Sequence, residues 1–160
     1  MKIKNVTIAG TGVLGSQIAF QSAFKGFNVS IYDINDDALE KVNERLIVLK
    51  GRYVEDNYGT KEEVDNAYNR ISQYTDLAKA VENADLVIEA VPELLPIKQD
   101  FYTKLSAVAN EKTIFASNSS TMTPSQIVDF TDRPEKYLHL HFANEIWKLN
   151  IAEIMKHERT

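Results

Sequence analysis

Three glycines with the spacing Gly-x-Gly-x-x-Gly form the most informative motif in the sequence, Gly10-Thr-Gly12-Val-Leu-Gly15. The motif lies between a predicted strand, residues 3–9, and a predicted helix, residues 13–25, which is the context in which it binds a dinucleotide. The first glycine permits a tight turn, the second lets the backbone approach a pyrophosphate, and the third lets the helix pack closely on the sheet. Unpaired N–H groups at the helix start favour the phosphates. The predicted cofactor contacts in this loop are Gly10, Gly12, Val13, Leu14 and Gly15.

Asp33 follows Gly15 by 18 positions, directly after the predicted second strand, residues 28–32. A carboxylate at that point can accept hydrogen bonds from both hydroxyls of a ribose and would repel a 2′-phosphate. The pattern therefore favours NAD over NADP as the cofactor. The alternative is a glycine-rich turn followed by an aspartate that only caps a helix, ahead of Asn35, Asp36 and Asp37.

Two histidines and one glutamate form a second group that could do chemistry. His139 and His141 share one face of a predicted strand, residues 137–142, and its leucines and phenylalanine share the other. Such histidines can be purely structural. Glu153, however, lies among apolar residues of the next predicted strand, where we expect it to be buried and in need of a partner. A carboxylate that orients an imidazole is the arrangement that a general base requires.

Five small polar residues, 117–121, directly follow the predicted fifth strand. The carboxyl ends of parallel strands border the ligand crevice of an α/β sheet, so we expect these side chains to face the cofactor. The alternative is an ordinary turn that leads into the N-terminus of a helix.

The elements that must position these residues alternate between short β-branched runs and helical patterns. This alternation predicts a Rossmann-type, doubly wound, mostly parallel α/β sheet, and two successive helical patterns after the second strand predict a helical-hairpin insertion at about 36–70. Thr60 with Glu63 is a capping-box pair that opens the second helix of this hairpin. The predicted strands are residues 3–9, 28–32, 71–74, 85–91, 113–117, 137–142 and 151–155, and the later predicted helices are residues 76–82, 96–108 and a short one from 124.

The composition narrows the class of protein. The 160 residues are 44% hydrophobic and 26% charged, which fits one globular domain. The absence of cysteine excludes a disulfide scaffold, a thiolate metal site and a cysteine nucleophile. The formal charge of −5 argues against a nucleic-acid or membrane partner, and no apolar run reaches the roughly 18 residues of a membrane span. We therefore expect a cytoplasmic protein without a metal.

Several segments in order make the chain resemble the N-terminal NAD-binding domain of L-3-hydroxyacyl-CoA dehydrogenases. They are the glycine loop, the Tyr-Asp pair at 32–33, and residues 85–93, 116–120, 133–136 and 141–144. The resemblance covers essentially all of residues 1–160. It implies reversible hydride transfer between nicotinamide and C3 of a 3-hydroxyacyl-CoA or 3-ketoacyl-CoA. It also implies a C-terminal helical domain for substrate binding and dimerisation, which this chain does not contain, and a homodimer in the full-length protein.

The resemblance also implies roles for individual residues. His141 matches the general acid/base, Glu153 its carboxylate partner, Ser120 the serine that hydrogen-bonds the reacting oxygen, and Asn144 an asparagine of the same pocket. Glu93, Lys98 and Ser120 match contacts on the cofactor side, and Asp33 matches the acid that binds the adenosine ribose. The predicted hairpin corresponds to an arm near the acyl-CoA.

The sequence departs from the family after His141. The family pattern has two prolines and a Met-Lys pair in this stretch, whereas this chain carries Glu145 and Trp147 there. The change alters the wall beside the nicotinamide and keeps alternatives open. One is a dehydrogenase of another small hydroxy acid, such as a sugar acid, and another is an NAD-binding module or structural protein without catalysis.

Overall fold

A computed structural model describes residues 2–160. The strands are β1 (Asn5–Ala9), β2 (Asn28–Tyr32), β3 (Ile71–Tyr74), β4 (Leu86–Glu89), β5 (Ile114–Ser117), β6 (Tyr137–Phe142) and β7 (Ala152–Met155). The helices are α1 (Val13–Phe24), α2 (Asp36–Glu55), α3 (Lys61–Tyr68), α4 (Leu77–Val81), α5 (Leu95–Val108) and α6 (Pro124–Ile127), and two 3₁₀ turns span Val128–Phe130 and Pro134–Lys136.

The strands form one seven-stranded sheet in the order β3-β2-β1-β4-β5-β6-β7. The first six strands are parallel to their neighbours, and β7 pairs antiparallel with β6. The strand order reverses between β1 and β4, and the crevice at such a point is where doubly wound sheets bind ligands. The glycine loop follows β1 at this crevice. The fold class predicted from the sequence is confirmed.

Apolar cores cover both faces of the sheet because side chains alternate along each strand. On one face, α1, α2 and α3 pack against residues such as Ile8, Ile31 and Ile88. On the other face, α4, α5 and α6 pack against residues such as Val87 and Phe115. A sheet buried on both faces is the expected result of helical crossovers between parallel strands.

The helix ends follow signals visible in the sequence. Gly26 directly follows the C-cap residue of α1 and adopts φ +96°. The N–H of Gly26 donates to the carbonyl of Ala23, and the N–H of Phe27 donates to the carbonyl of Ser22. These two hydrogen bonds form a Schellman motif, which requires a left-handed residue that glycine supplies without strain. The predicted capping box of Thr60 and Glu63 is present at the start of α3. The helical hairpin predicted after β2 is thereby confirmed as α2 and α3.

Most element boundaries differ from the predicted ones by only one or two residues. The strands β1, β5 and β7 each begin one or two residues later than predicted, and β4 begins one residue later and ends two residues earlier. Asp85 precedes β4, and its carboxylate accepts hydrogen bonds from the backbone N–H groups of Lys4 and Asn5. Within residues 2–160, no helix combines the length and the apolar character needed to cross a membrane.

Candidate active site

The glycine loop packs so tightly that two of its three glycines leave no space for a side chain. Gly10 has φ +96°, and a Cβ on it would lie 2.4 Å from the carbonyl oxygen of Ala90. A Cβ on Gly15 would lie 2.1 Å from the carbonyl oxygen of Gly10. A Cβ on Gly12 would meet nothing within 4 Å. The loop therefore has open space above Gly12, next to the first N–H groups of α1, where a diphosphate can approach the backbone.

A cavity of about 420 Å³ opens on one side of this loop, bordered by Gly10, Gly12 and Asp33. Asp33 lies directly after β2, and its carboxylate accepts hydrogen bonds from the N–H and hydroxyl of Thr11 and from the N–H of Ile34. These bonds fix the carboxylate at the cavity edge and leave lone pairs for further donors, since an ionised carboxylate has about four acceptor sites.

A second cavity of about 240 Å³ lies on the other side of the loop. Its lining contains seven of the residues predicted from the sequence: Gly12, Val13, Leu14, Gly15, Glu93, Lys98 and Ser120. The two cavities share Gly12, so the predicted cofactor residues lie along one continuous crevice.

A buried ion-pair network lies under the second cavity. Lys98 is only 1% exposed, and its Nζ lies 2.6 Å from Glu89 Oε1 and 3.0 Å from Glu93 Oε2. Burial alone would raise the pKa of Glu93, but hydrogen bonds from Ser119, Thr121 and Lys98 outweigh it and lower that pKa to about 2. Glu93 is therefore ionised at any physiological pH. Glu89, which is fully buried, was not identified from the sequence.

The polar cluster at 117–121 faces the crevice only in part, so the expectation that all five side chains do so is wrong. Ser117 turns into the sheet, and its hydroxyl donates to Glu89 at 2.6 Å. Ser119 is also buried and donates to Glu93. Asn118 and Ser120 border the second cavity, and Asn118 also accepts the N–H of Phe142 at 2.9 Å. Ser117 thereby satisfies the fully buried carboxylate of Glu89, which would be costly without donors, and Ser119 holds the partly exposed carboxylate of Glu93.

The predicted contact between His141 and Glu153 is present, with 3.0 Å between His141 Nδ1 and Glu153 Oε2. The two residues are register partners on β6 and β7, which brings their side chains to the same face of the sheet. The expectation that Glu153 is buried is wrong, because its side chain is 69% exposed. β7 is the edge strand of the sheet, and nothing in the part of the chain described here covers this carboxylate.

His139 lies on the same strand as His141 but is buried rather than partly exposed. It is fully buried, and its Nε2 lies 2.9 Å from the hydroxyl of Tyr137. Its Nδ1 has no hydrogen-bond partner among residues 2–160. Burial, with the nearby Lys98 charge, lowers the pKa of His139 to about 4, so this imidazole is neutral at physiological pH. The structural role left open for the strand histidines fits His139.

The segment after β6, in which the sequence departs from the family pattern, is tied to the helical hairpin. Trp147 is buried at 3% exposure, its Nε1 donates to Asp56 at 3.0 Å, and its ring lies 5.5 Å from that of Tyr53. Lys148 also pairs with Asp56 at 3.0 Å. Asn144 lies in the exposed part of this segment and lines neither cavity.

Comparisons with known proteins agree with this geometry. The family model described as "3-hydroxyacyl-CoA dehydrogenase, NAD binding domain" matches residues 5–160. The chain is 36% identical to a probable 3-hydroxybutyryl-CoA dehydrogenase of Bacillus subtilis over 98% of this chain and 54% of the relative. It is 34% identical to the human mitochondrial hydroxyacyl-coenzyme A dehydrogenase, covering 96% of this chain and 51% of the relative.

Solved structures give the same result. One match is a diketoreductase, described as performing substrate-directed dual catalysis of dicarbonyl compounds. It superposes with a TM-score of 0.98 at 52% identity, covering 100% of this chain and 57% of that one. An (S)-3-hydroxybutyryl-CoA dehydrogenase of Ralstonia eutropha superposes with a TM-score of 0.93 at 27% identity, covering 99% and 56%. The chain thus spans about half the length of these relatives. By its sequence and its fold, this chain belongs to the NAD-binding domain family of 3-hydroxyacyl-CoA dehydrogenases.

Proposed function

We propose that this chain is the NAD-binding part of an NAD-dependent oxidoreductase that interconverts 3-hydroxyacyl-CoA and 3-ketoacyl-CoA. The observation that carries the proposal is the contact between His141 and Glu153 at the carboxyl end of β6. The glycine loop follows the carboxyl end of β1, so the two features lie at the same end of the parallel strands. The oxidation of an alcohol requires a base that takes the hydroxyl proton and a nicotinamide that takes the hydride, so the two sites must lie close together.

The crevice fits NAD on steric and electrostatic grounds. The open space above Gly12 would accommodate the diphosphate, and Asp33 would accept hydrogen bonds from the hydroxyls of the adenosine ribose. Glu93, Lys98 and Ser120, which line the second cavity, would contact the nicotinamide half. The carboxylate of Asp33 disfavours a 2′-phosphate, so NAD rather than NADP is the expected cofactor. When bound, NAD supplies the group that accepts or returns a hydride at the substrate carbon.

The chain's own contribution to the reaction is the transfer of a proton. Nδ1 of His141 donates its N–H to Glu153, which leaves the lone pair of Nε2 to accept the proton of the substrate hydroxyl. The Glu153 carboxylate then stabilises the imidazolium, and in the reverse direction Nε2 returns the proton to the oxygen. Ser120 hydrogen-bonds the reacting oxygen, and Asn144 contacts the substrate from the segment after β6.

The proposal extends to the whole protein. A helical domain, in the part of the relatives that this chain does not span, would cover the exposed pair of His141 and Glu153 and complete the acyl-CoA site. That domain would also form the homodimer, and the protein would act in the cytoplasm. This arrangement explains why Glu153, despite its proposed role, is 69% exposed here.

A second candidate substrate class is that of dicarbonyl compounds without coenzyme A. Two observations favour it: the 52% identity to the diketoreductase, and the replacement of the family's prolines by the anchored segment that contains Trp147. A 3-ketoacyl thioester is itself a dicarbonyl compound, so the same proton transfer by His141 would serve both classes.

Two measurements test the proposed function. The 160-residue chain should bind NADH, followed by fluorescence titration, and should turn over poorly by itself. In the full-length protein, His141→Ala should slow acetoacetyl-CoA reduction by about 10²- to 10⁴-fold, the usual contribution of a general acid or base. The Kd for NADH should stay nearly unchanged.

Glu153→Gln is the matched variant, since it keeps a hydrogen-bond acceptor but removes the charge. It should fall between the wild type and His141→Ala in rate. A parallel loss of NADH affinity and rate in His141→Ala would contradict the role of His141. Comparing acetoacetyl-CoA with free dicarbonyl compounds separates the two substrate classes.

A further inference from the structure

Glu89, at the last position of β4, is a buried charge that the proposed proton transfer does not use. Its carboxylate has 0% exposure and accepts hydrogen bonds from Ser117 at 2.6 Å and from the backbone N–H of Val91 at 3.0 Å. The ammonium group of Lys98 donates to it at 2.6 Å, and the hydroxyl of Tyr102 lies at 3.4 Å. All four donors thus converge on one carboxylate at the carboxyl end of the sheet.

Stability alone does not account for this arrangement. Taking a carboxylate and an ammonium group out of water costs several kcal/mol for each ion, and apolar residues of similar volume are often at least as stable as a buried ion pair. The rest of β4 is apolar and well packed, with Val87 and Ile88 both buried. A fourth apolar residue at position 89 would suit the fold, so the charge calls for another explanation.

The contacts of Lys98 supply that explanation. Its Nζ also lies 3.0 Å from Glu93 Oε2, and Glu93 in turn accepts hydrogen bonds from Ser119 and Thr121. Ser120, between these two donors, borders the second cavity together with Glu93 and Lys98. An unbroken series of charge-assisted hydrogen bonds therefore connects the centre of the sheet with residues that line that cavity.

We propose that Glu89 is a positioning residue for the nicotinamide side of the crevice: it fixes Lys98, which fixes Glu93 and through it the loop that carries Ser120. This inference rests on the proposed function, since it assumes that the second cavity receives the nicotinamide half of NAD. Glu89 itself borders neither cavity, so its effect on the ligand passes through its hydrogen-bond partners. Lys98 and Glu93 carry it to the second cavity, whereas Val91, which lines both cavities, would keep its bond in Glu89→Gln because an amide oxygen can still accept its N–H.

The test is to compare NADH with ADP-ribose, which lacks the nicotinamide ring, in binding to the 160-residue chain. Glu89→Gln keeps the size of the side chain and removes its charge. It should weaken NADH binding by about tenfold, the loss expected for one misplaced hydrogen bond to a charged group. ADP-ribose should bind with the wild-type Kd, because Gly12 and Asp33 are unaffected. Isothermal titration calorimetry measures both.

Asp85→Asn is the matched control. Asp85 precedes the same strand at its opposite end, is also buried and also pairs with a lysine, Lys112, at 2.7 Å. Its replacement should change neither Kd. A merely structural role of Glu89 predicts equal weakening of both ligands or of neither, and either result would overturn the inference. Failure of the wild type to bind NADH would instead overturn the proposed function.

If Glu89→Gln does not fold, the double variant Glu89→Gln/Lys98→Met removes both charges and leaves no unpaired ammonium group in the interior. It should bind ADP-ribose normally and NADH weakly. Wild-type affinity for NADH in this variant would show that Glu93 and Ser120 hold their places without Glu89 and Lys98, and would overturn the inference.

Discussion

Gly15→Ala should lower the stability of the chain, whereas Gly12→Ala should leave the stability nearly unchanged and weaken NADH binding. At Gly15 the new Cβ would lie 2.1 Å from the carbonyl oxygen of Gly10, so the loop must move by more than about 1 Å to restore an ordinary contact. Overpacking of this kind costs about 1–3 kcal/mol, and the better helix propensity of alanine returns at most about 1 kcal/mol. A contact as short as 2.1 Å to a backbone oxygen belongs at the upper end of that range, so the net loss of about 2 kcal/mol should lower Tm by roughly 4–8 °C.

At Gly12 a new Cβ meets nothing within 4 Å, and φ −61° with ψ −173° is open to any residue. The free energy of unfolding should therefore change by less than about 0.5 kcal/mol, because the poorer capping by alanine and the lower entropy of the unfolded chain offset each other. The methyl group would, however, occupy the space proposed for the diphosphate. Losing one hydrogen bond to that charged group costs about 1.5–3 kcal/mol, so NADH binding should weaken by about 10- to 100-fold.

Thermal unfolding followed by circular dichroism and NADH titration followed by fluorescence measure the two effects. Gly51→Ala is the matched control, because Gly51 lies in α2 and its Cβ would also meet nothing within 4 Å. This variant should gain up to about 1 kcal/mol from helix propensity and bind NADH normally. Wild-type NADH affinity in Gly12→Ala would show that the diphosphate does not cross this glycine. An unchanged Tm in Gly15→Ala would refute the close approach of the two backbone segments.

Other predictions concern the ribose, the interior histidine and the indole anchor. Asp33→Ala should weaken NADH binding by about tenfold or more but should weaken NADPH binding less, because the repulsion of a 2′-phosphate is lost. Equal effects on both cofactors in titrations would contradict the proposed contact between Asp33 and the adenosine ribose. His139 resists protonation in the native state because burial lowers its pKa to about 4. The free energy of unfolding should therefore fall by about 3 kcal/mol as pH drops from about 6.5 to 4. Urea unfolding of His139→Leu should show a weaker pH dependence than that of the wild type. Trp147→Phe should cost about 1 kcal/mol by leaving Asp56 without the indole donor, and a Tm equal to that of the wild type would show that the bond contributes nothing.

The fold and the cofactor crevice were predictable because their signals are local. Glycine spacing, the acid after the second strand and the capping pairs each depend on a few neighbouring residues, and the structure has the corresponding turn, strand end and caps. The helical hairpin was predictable for the same reason, since α2 places Val42, Leu46 and Tyr53 on one buried face. Periodicity along one helix is sufficient for that conclusion.

The features that were missed depend on which segments become neighbours. The sequence shows Glu153 among apolar residues, but burial depends on whether its strand is central or at an edge, and the alternation of residues does not reveal this. The inward turn of Ser117 follows from the position of Glu89 on the adjacent strand, which is set by the register of β4 and β5. An acid at the end of an otherwise apolar strand, with Lys98 nine positions later, was the available signal for the buried ion pair.

The indole of Trp147 joins parts of the chain that are 91 residues apart, since it reaches from the segment after His141 to Asp56, the residue that caps the C-terminus of α2. This hydrogen bond connects the two segments without a covalent link. A movement of the helical hairpin must therefore either move the segment after His141 with it or break the hydrogen bond between Trp147 and Asp56. A ligand that displaces α2 and α3 would therefore also shift the segment that follows His141, the proposed proton-transfer residue, without contacting that residue.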